Sequence, residues 1–206
     1  MRANNPWMCR REFLKGLQRA PLALALGLLS GCAKRYLEVE DEPIPTNGLA
    51  VLINHYRRQN GLPEIPISRS LTTVAQKHVA DLNNHHPQRA CGERGNFHSW
   101  SNNGKWLGIA GEGAWKGCCY PDDHSKRHCM WDKPKEIANY PGNGYEIVHW
   151  KTSVATPQSA LKSWKNSRAH RAVILNSGEW SDIQWKALGA ACRGKYASAW
   201  FGEVKG

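Results

Sequence analysis

Arg10-Arg11-Glu12-Phe13-Leu14-Lys15, the apolar run Pro21 to Leu29 and the cysteine at 32 follow one another in an order that takes the first 31 residues out of the fold. The paired arginines have the form of a twin-arginine export signal, and the run is the short apolar region such a signal carries. At nine residues it falls well short of the roughly 20 that a membrane-spanning helix needs. What remains has room for one domain and little for a second. Export also places its thiols where disulfides form and persist.

Leu29-Ser30-Gly31-Cys32 resembles a bacterial lipobox, so Cys32 is expected to be acylated and to become the new first residue. The acyl chains of such a lipoprotein would hold it firmly at a membrane. Ala33 in place of Asp resembles the sorting residue of outer-membrane lipoproteins. Residues 32–47, with four acids and two prolines after the cysteine and no clear period, read as a tether, and residues 48–206 as the folded domain. The expected location is the bacterial cell envelope or outer surface.

The whole chain carries 28 Lys and Arg against 17 Asp and Glu, a formal +11. Removing the signal and the tether leaves 21 basic and 12 acidic residues in the domain, or +9. These charges are scattered and form no basic stripe, so nucleic acid is not the expected partner. Anionic envelope polymers and lipids are. A composition of 41% hydrophobic and 22% charged residues excludes wholesale disorder, collagen and coiled coil. Ten Trp against three Phe point to rings set between water and a groove.

Of seven cysteines, Cys9 and Cys32 belong to the leader, leaving Cys91, Cys118, Cys119, Cys129 and Cys192. Five thiols allow two bridges and one leftover, with the pairing undetermined. A cysteine zinc site is the alternative, but adjacent Cys118 and Cys119 lack the gap such sites prefer. Bridges stapling a loop are expected.

Leu49, Leu52, Ile53 and Tyr56 share one helical face, and Gly61 ends that helix. Ser68 caps a second, with Leu71, Ala75, His78 and Leu82 inward, and His78 reads as a hydrogen-bonded core histidine. Thr156-Pro157 opens a third, turning Leu161 and Trp164 inward. Tyr145–Trp150 reads as a strand, and Trp185–Cys192 and Tyr196–Phe201 as a hairpin around Arg193-Gly194-Lys195. Gly108 to Gly144 reads as a long irregular stretch rich in Cys, Gly and Trp, unusual unless bridged or functional. The expected class is α/β, with helices covering a small antiparallel sheet.

These segments resemble the CAP superfamily of cysteine-rich secretory, antigen 5 and pathogenesis-related 1 proteins. Leu52–Arg57 with Gly61-Leu62-Pro63 is similar to its first helix, and Leu71–Asp81 to its second. Phe97-His98-Ser99 resembles the segment of the first site histidine. Trp164-Lys-Asn-Ser-Arg-Ala-His170-Arg-Ala-Val-Ile-Leu resembles the bacterial motif that carries the second. The resemblance spans about residues 48–202 and implies an α-β-α sandwich with a groove lined by histidines and acids. It places His98, His170 and an acid in that groove, either Glu146 of Tyr145-Glu146-Ile147 or Glu112 of Gly111-Glu112-Gly113. Glu146 is preferred because its distance from the Trp164 helix is that of bacterial members. Ser167 stands where a second acid is expected.

Two imidazoles and a carboxylate can hold Zn²⁺ or another divalent ion through His98 and His170, act as an acid/base set, or hydrogen-bond a ligand. No His-Glu-x-x-His helix frames a zincin. Pro121-Asp-Asp-His124 reads as an exposed turn. The favoured expectation is a binding module for a lipid, sterol-like molecule or glycan, lined by His98, Glu146, Ser167, His170 and the site-flanking Trp100, Trp106 and Trp164. The alternatives are a metal-assisted hydrolase with Glu146 as general base, and an interaction protein with a vestigial groove.

Overall fold

The face read from Leu49 and Ile53 forms as α1, Gly48–Gln59, and Gly61 follows at φ +74°, a left-handed geometry that suits glycine. A computed structural model gives the fold of residues 48–91, 96–102 and 115–206. The export signal, Cys32, the tether, Trp106 and Glu112 lie outside these described residues. Helix α2, Arg69–His85, starts where Ser68 Oγ accepts the Leu71 N–H and buries Leu71, Val74, Ala75, His78 and Leu82.

Three short helices follow: α3 (Pro87–Ala90), α4 (His128–Trp131) and α5 (Lys133–Ala138). The last two correct the expectation of an irregular stretch up to Gly144. Helices of four and six residues are too short to leave a readable apolar period. This region is stapled by Cys91–Cys119 and Cys118–Cys129, leaving Cys192 as the leftover thiol.

Strand β1, Tyr145–Trp150, precedes α6, Pro157–Asn166. Thr156 and Ser159 cap α6 reciprocally, each side chain taking the other's backbone N–H. Ser167 is extended, φ −94° and ψ 119°, and so splits the Trp164–Leu175 motif into α6 and α7, Arg168–Leu175. Strands β2 (Ala187–Arg193) and β3 (Tyr196–Gly202) form the expected hairpin. The antiparallel sheet runs β1-β3-β2, with Glu146 opposite Trp200 and Gly189 on the far side of the same tryptophan.

The two-residue period of the strands sorts their side chains between two helical layers. Ile147, Leu188, Ala190, Ala197, Ala199 and Phe201 pack with α1, α6 and α7. Val148, Ala187, Ala191 and Trp200 pack with α2 and the bridged segment. Helix α2 approaches β2 closely at Gly189, where a Cβ would lie 2.1 Å from the Leu71 carbonyl carbon, so only glycine lets α2 settle on β2. Helices on both faces of a small antiparallel sheet are the expected α-β-α sandwich. Among the described residues no helix is long and apolar enough to cross a membrane.

Candidate functional site

Because successive β1 side chains alternate, Glu146 enters the α2 layer beside Val148. Its side chain has no solvent exposure. Oε1 meets His78 Nδ1 at 2.5 Å and accepts the Ser198 hydroxyl at 2.5 Å, while Oε2 meets His98 Nδ1 at 2.9 Å. A buried carboxylate is tolerable only with such partners.

His78 comes from the buried face of α2 and stacks on Trp100 at 4.0 Å, nearly parallel. Its Nε2 lies 3.1 Å from the Ser99 carbonyl. With Glu146 ionised, both ring nitrogens face acceptors, an arrangement that favours the imidazolium form of His78. Burial lowers its pKa, but the Glu146 charge and hydrogen bond outweigh that and raise it above the usual value. Burial likewise pushes Glu146 up, yet His78 and then His98 hold it below the usual carboxylate value. The core histidine expected at 78 is therefore the counter-ion of the candidate site acid.

His98 Nδ1 donates to Glu146 and fixes that ring's orientation. The ring is part of the wall of a cavity of about 450 Å³, together with Glu146 and His170 of α7. His170 Nδ1 is buried and has no hydrogen-bond partner among the described residues. Burial, then the nearby His98 and His149, lower the His170 pKa, so its neutral form is favoured. The stapled segment supplies Tyr120, His124, Arg127, Met130 and Trp131 to the same cavity. Tyr120 Oη and His124 Nδ1 are 3.1 Å apart, and Met130 Sδ accepts the Glu146 N–H at 3.2 Å. Tyr145, Val173, Glu179 and Trp180 line it as well.

His98, Glu146 and His170 thus come together as expected. Trp100 and Trp164 do not join them, and their expected place in the groove is corrected. Trp100 is 2% exposed beneath His78, and Trp164 is completely buried between α6 and the sheet. Both were read as groove rings because each neighbours a site histidine in sequence, yet the large apolar ring takes the inward position. Ser167 is the residue between α6 and α7 and does not line the cavity. His124, read as part of an exposed turn, is exposed and also lines it.

These residues do not make a strong cation site. Glu146 already carries three hydrogen bonds. Among the described residues, His98, Glu146 and His170 do not bring three donor atoms within 4.8 Å of one another. Cys118, His128 and Cys129 do, but both sulfurs are committed to a disulfide. The missed members, His78, Ser198 and the stapled segment's cavity residues, had one signal each at most. Ser198 interrupts a run of small apolar residues in β3, the strand that pairs with β1, and Tyr120 to Trp131 had only the density of ring and ionic side chains between bridged cysteines.

The fold and groove define an α-β-α domain with a histidine–carboxylate pocket. The model of the family described as CAP: Cysteine-rich secretory protein family matches residues 51–178, and this chain belongs to that family. Its structure is similar to a cysteine-rich secretory protein from Staphylococcus aureus subsp. aureus Mu50, at 18% identity and TM-score 0.47 over 81% of this chain and 40% of that one. It is also similar to an extracellular protein containing a SCP domain from Bacillus anthracis str. Ames, at 18% identity and TM-score 0.48 over 77% and 40%. An outer surface protein from Borrelia burgdorferi is similar at 14% identity and TM-score 0.46 over 76% and 90%. The matched regions therefore span 40% of the first two proteins' lengths. No curated protein matches the chain.

Proposed function

We propose that this chain is an exported, lipid-anchored CAP-family protein of the cell envelope or outer surface whose groove binds an envelope ligand without turning it over. Arg10-Arg11 and Leu29–Cys32 support export and acylation, and the +9 domain suits anionic envelope polymers or lipids. The observation that carries the binding reading is the state of Glu146. A general base needs a free lone pair and a matched pKa. Glu146 is instead buried, ion-paired to His78 and held below the usual carboxylate value. The remaining wall, part aromatic and part hydrogen-bonding, is that of a ligand pocket.

The test is capture of small molecules from cell-envelope extracts by the purified full chain, read by mass spectrometry. A species retained by the wild type and lost in His98→Ala/His170→Ala is expected. Release of products from peptidoglycan or casein, abolished by Glu146→Gln in a folded protein, would replace this reading with the hydrolase. Labelled palmitate should enter the chain and fail to enter Cys32→Ser.

A further inference from the structure

Trp131, Tyr145 and Trp180 form a continuous aromatic band on the cavity wall. Their ring centroids are 6.1 and 5.5 Å apart, each ring is only half-buried, and they come from α4, β1 and the 3-10 turn Gly178–Trp180. At one end Arg127 sets its guanidinium 5.5 Å over the Trp131 ring. Arg127 lines the cavity, is exposed, and has no carboxylate partner among the described residues. The rest of the wall includes His98, His124, Tyr120, His170 and Glu179, all able to hydrogen-bond.

We propose that this cavity takes an acidic saccharide, with a sugar C–H face on the Trp131–Tyr145–Trp180 band and its carboxylate on Arg127. The proposal rests on the groove-binding reading and names its ligand class. An acyl chain would fill the aromatic side but leave the polar groups without partners, and unpaired buried polar groups are costly. A pyranose ring has an apolar face and a rim of hydroxyls, matching both kinds of wall at once. Glu179 and the imidazoles can meet hydroxyls and amides. Among the described lining residues the strong anion subsite is Arg127, whose planar fork suits a carboxylate bidentately and whose place over Trp131 pre-orients it.

The experiment titrates the full chain, in detergent micelles, with three probes and follows tryptophan fluorescence. The probes are the disaccharide of N-acetylglucosamine and N-acetylmuramic acid, its neutral methyl ester, and phosphatidylglycerol vesicles. The acid is expected to bind at least tenfold more tightly than the ester, and Arg127→Gln to bring the two together. Trp180→Leu should weaken both sugars equally. The Arg127 side chain makes no hydrogen bond among the described residues, and its backbone carbonyl bonds to Met130 and Trp131 are kept by any side chain, so Arg127→Gln is expected to unfold with the wild type on heating. Equal binding of acid and ester, or a preference that survives Arg127→Gln, overturns the proposal. Vesicles that bind in a His170-dependent way while the sugars do not overturn the saccharide and leave the groove reading standing. Silence from all three probes removes both.

Discussion

Both helical layers bury a charge, and the two charges are handled differently. Between α1 and α7, Arg57 is 3% exposed and gives its guanidinium to the Pro63 and Ile174 carbonyls and to Asn176 Oδ1. Those partners are neutral, and through Ile174 and Asn176 the arginine ties α1 to the end of α7. The α2 layer buries Lys77, Asp81 and Lys133 as well, but the charge that meets the cavity there is a pair, Glu146 with His78, and Glu146 passes a further contact to His98 at the cavity wall. One charge is held by neutral partners away from this cavity, and the other stands at its wall beside His98. Burial alone therefore does not mark a functional group; the route from the buried charge to the surface does.

The largest effect should come from splitting the pair. Glu146→Leu or His78→Leu leaves one buried charge uncompensated and is expected to cost about 3–5 kcal/mol, while the double variant costs far less than the sum. Urea unfolding of the four proteins checks this, and additive losses would dissolve the pair as a unit. A smaller loss, about 1–3 kcal/mol, is expected for Arg57→Met, because Pro63 is exposed to water and the Ile174 carbonyl is the buried one left unsatisfied. Ligand capture by that variant should be unchanged, because Arg57 contacts nothing in the cavity. Reduced capture at unchanged stability would erase the contrast between the two layers.

The smallest effect, and the one that sharpens the contrast most, is on pH. His78 has a raised folded pKa, so its contribution is complete below about pH 6.5 and is lost as pH rises through the folded value. Glu146 has a lowered folded pKa, so its contribution is present above about pH 4.3 and is lost as pH falls through its folded value. Stability should be greatest between the two and decline on the alkaline side. Denaturant midpoints at pH 6 and pH 9 should show that decline in the wild type and Arg57→Met. They should show it much reduced in His78→Leu, and an undiminished decline there would assign it to other groups.

Much of this was legible before any coordinates. Regular spacing disclosed α1 and α2, Thr156-Pro157 disclosed α6, the runs flanking Arg193-Gly194-Lys195 disclosed the hairpin, and Tyr145–Trp150 read as the third strand. Two bridges with one thiol left over followed from five cysteines, although their partners did not. His98, Glu146 and His170 were found through short motifs that resemble a family. The stapled segment was opaque for a physical reason. Its helices span barely a turn, and its placement depends on covalent links between distant positions, so Tyr120, Arg127 and Trp131 had no period to announce them. The tryptophans failed differently. Adjacency to a site histidine says nothing about which way a side chain turns: Trp100 turned into the core, and Trp164 takes the inward position read from its helix instead of a place in the groove.

Met130 has a second role besides lining the pocket. In the order β1-β3-β2, β1 is an edge strand, and the Glu146 N–H on its outer side is met by the Met130 sulfur rather than by another strand. Open strand edges invite pairing with a second molecule. The segment that walls the pocket therefore also works as an edge guard, and Cys118–Cys129 holds it there through the residue next to Met130. Reduction of the chain would bare the pocket and the strand together, so loss of ligand and self-association should set in at the same reductant concentration.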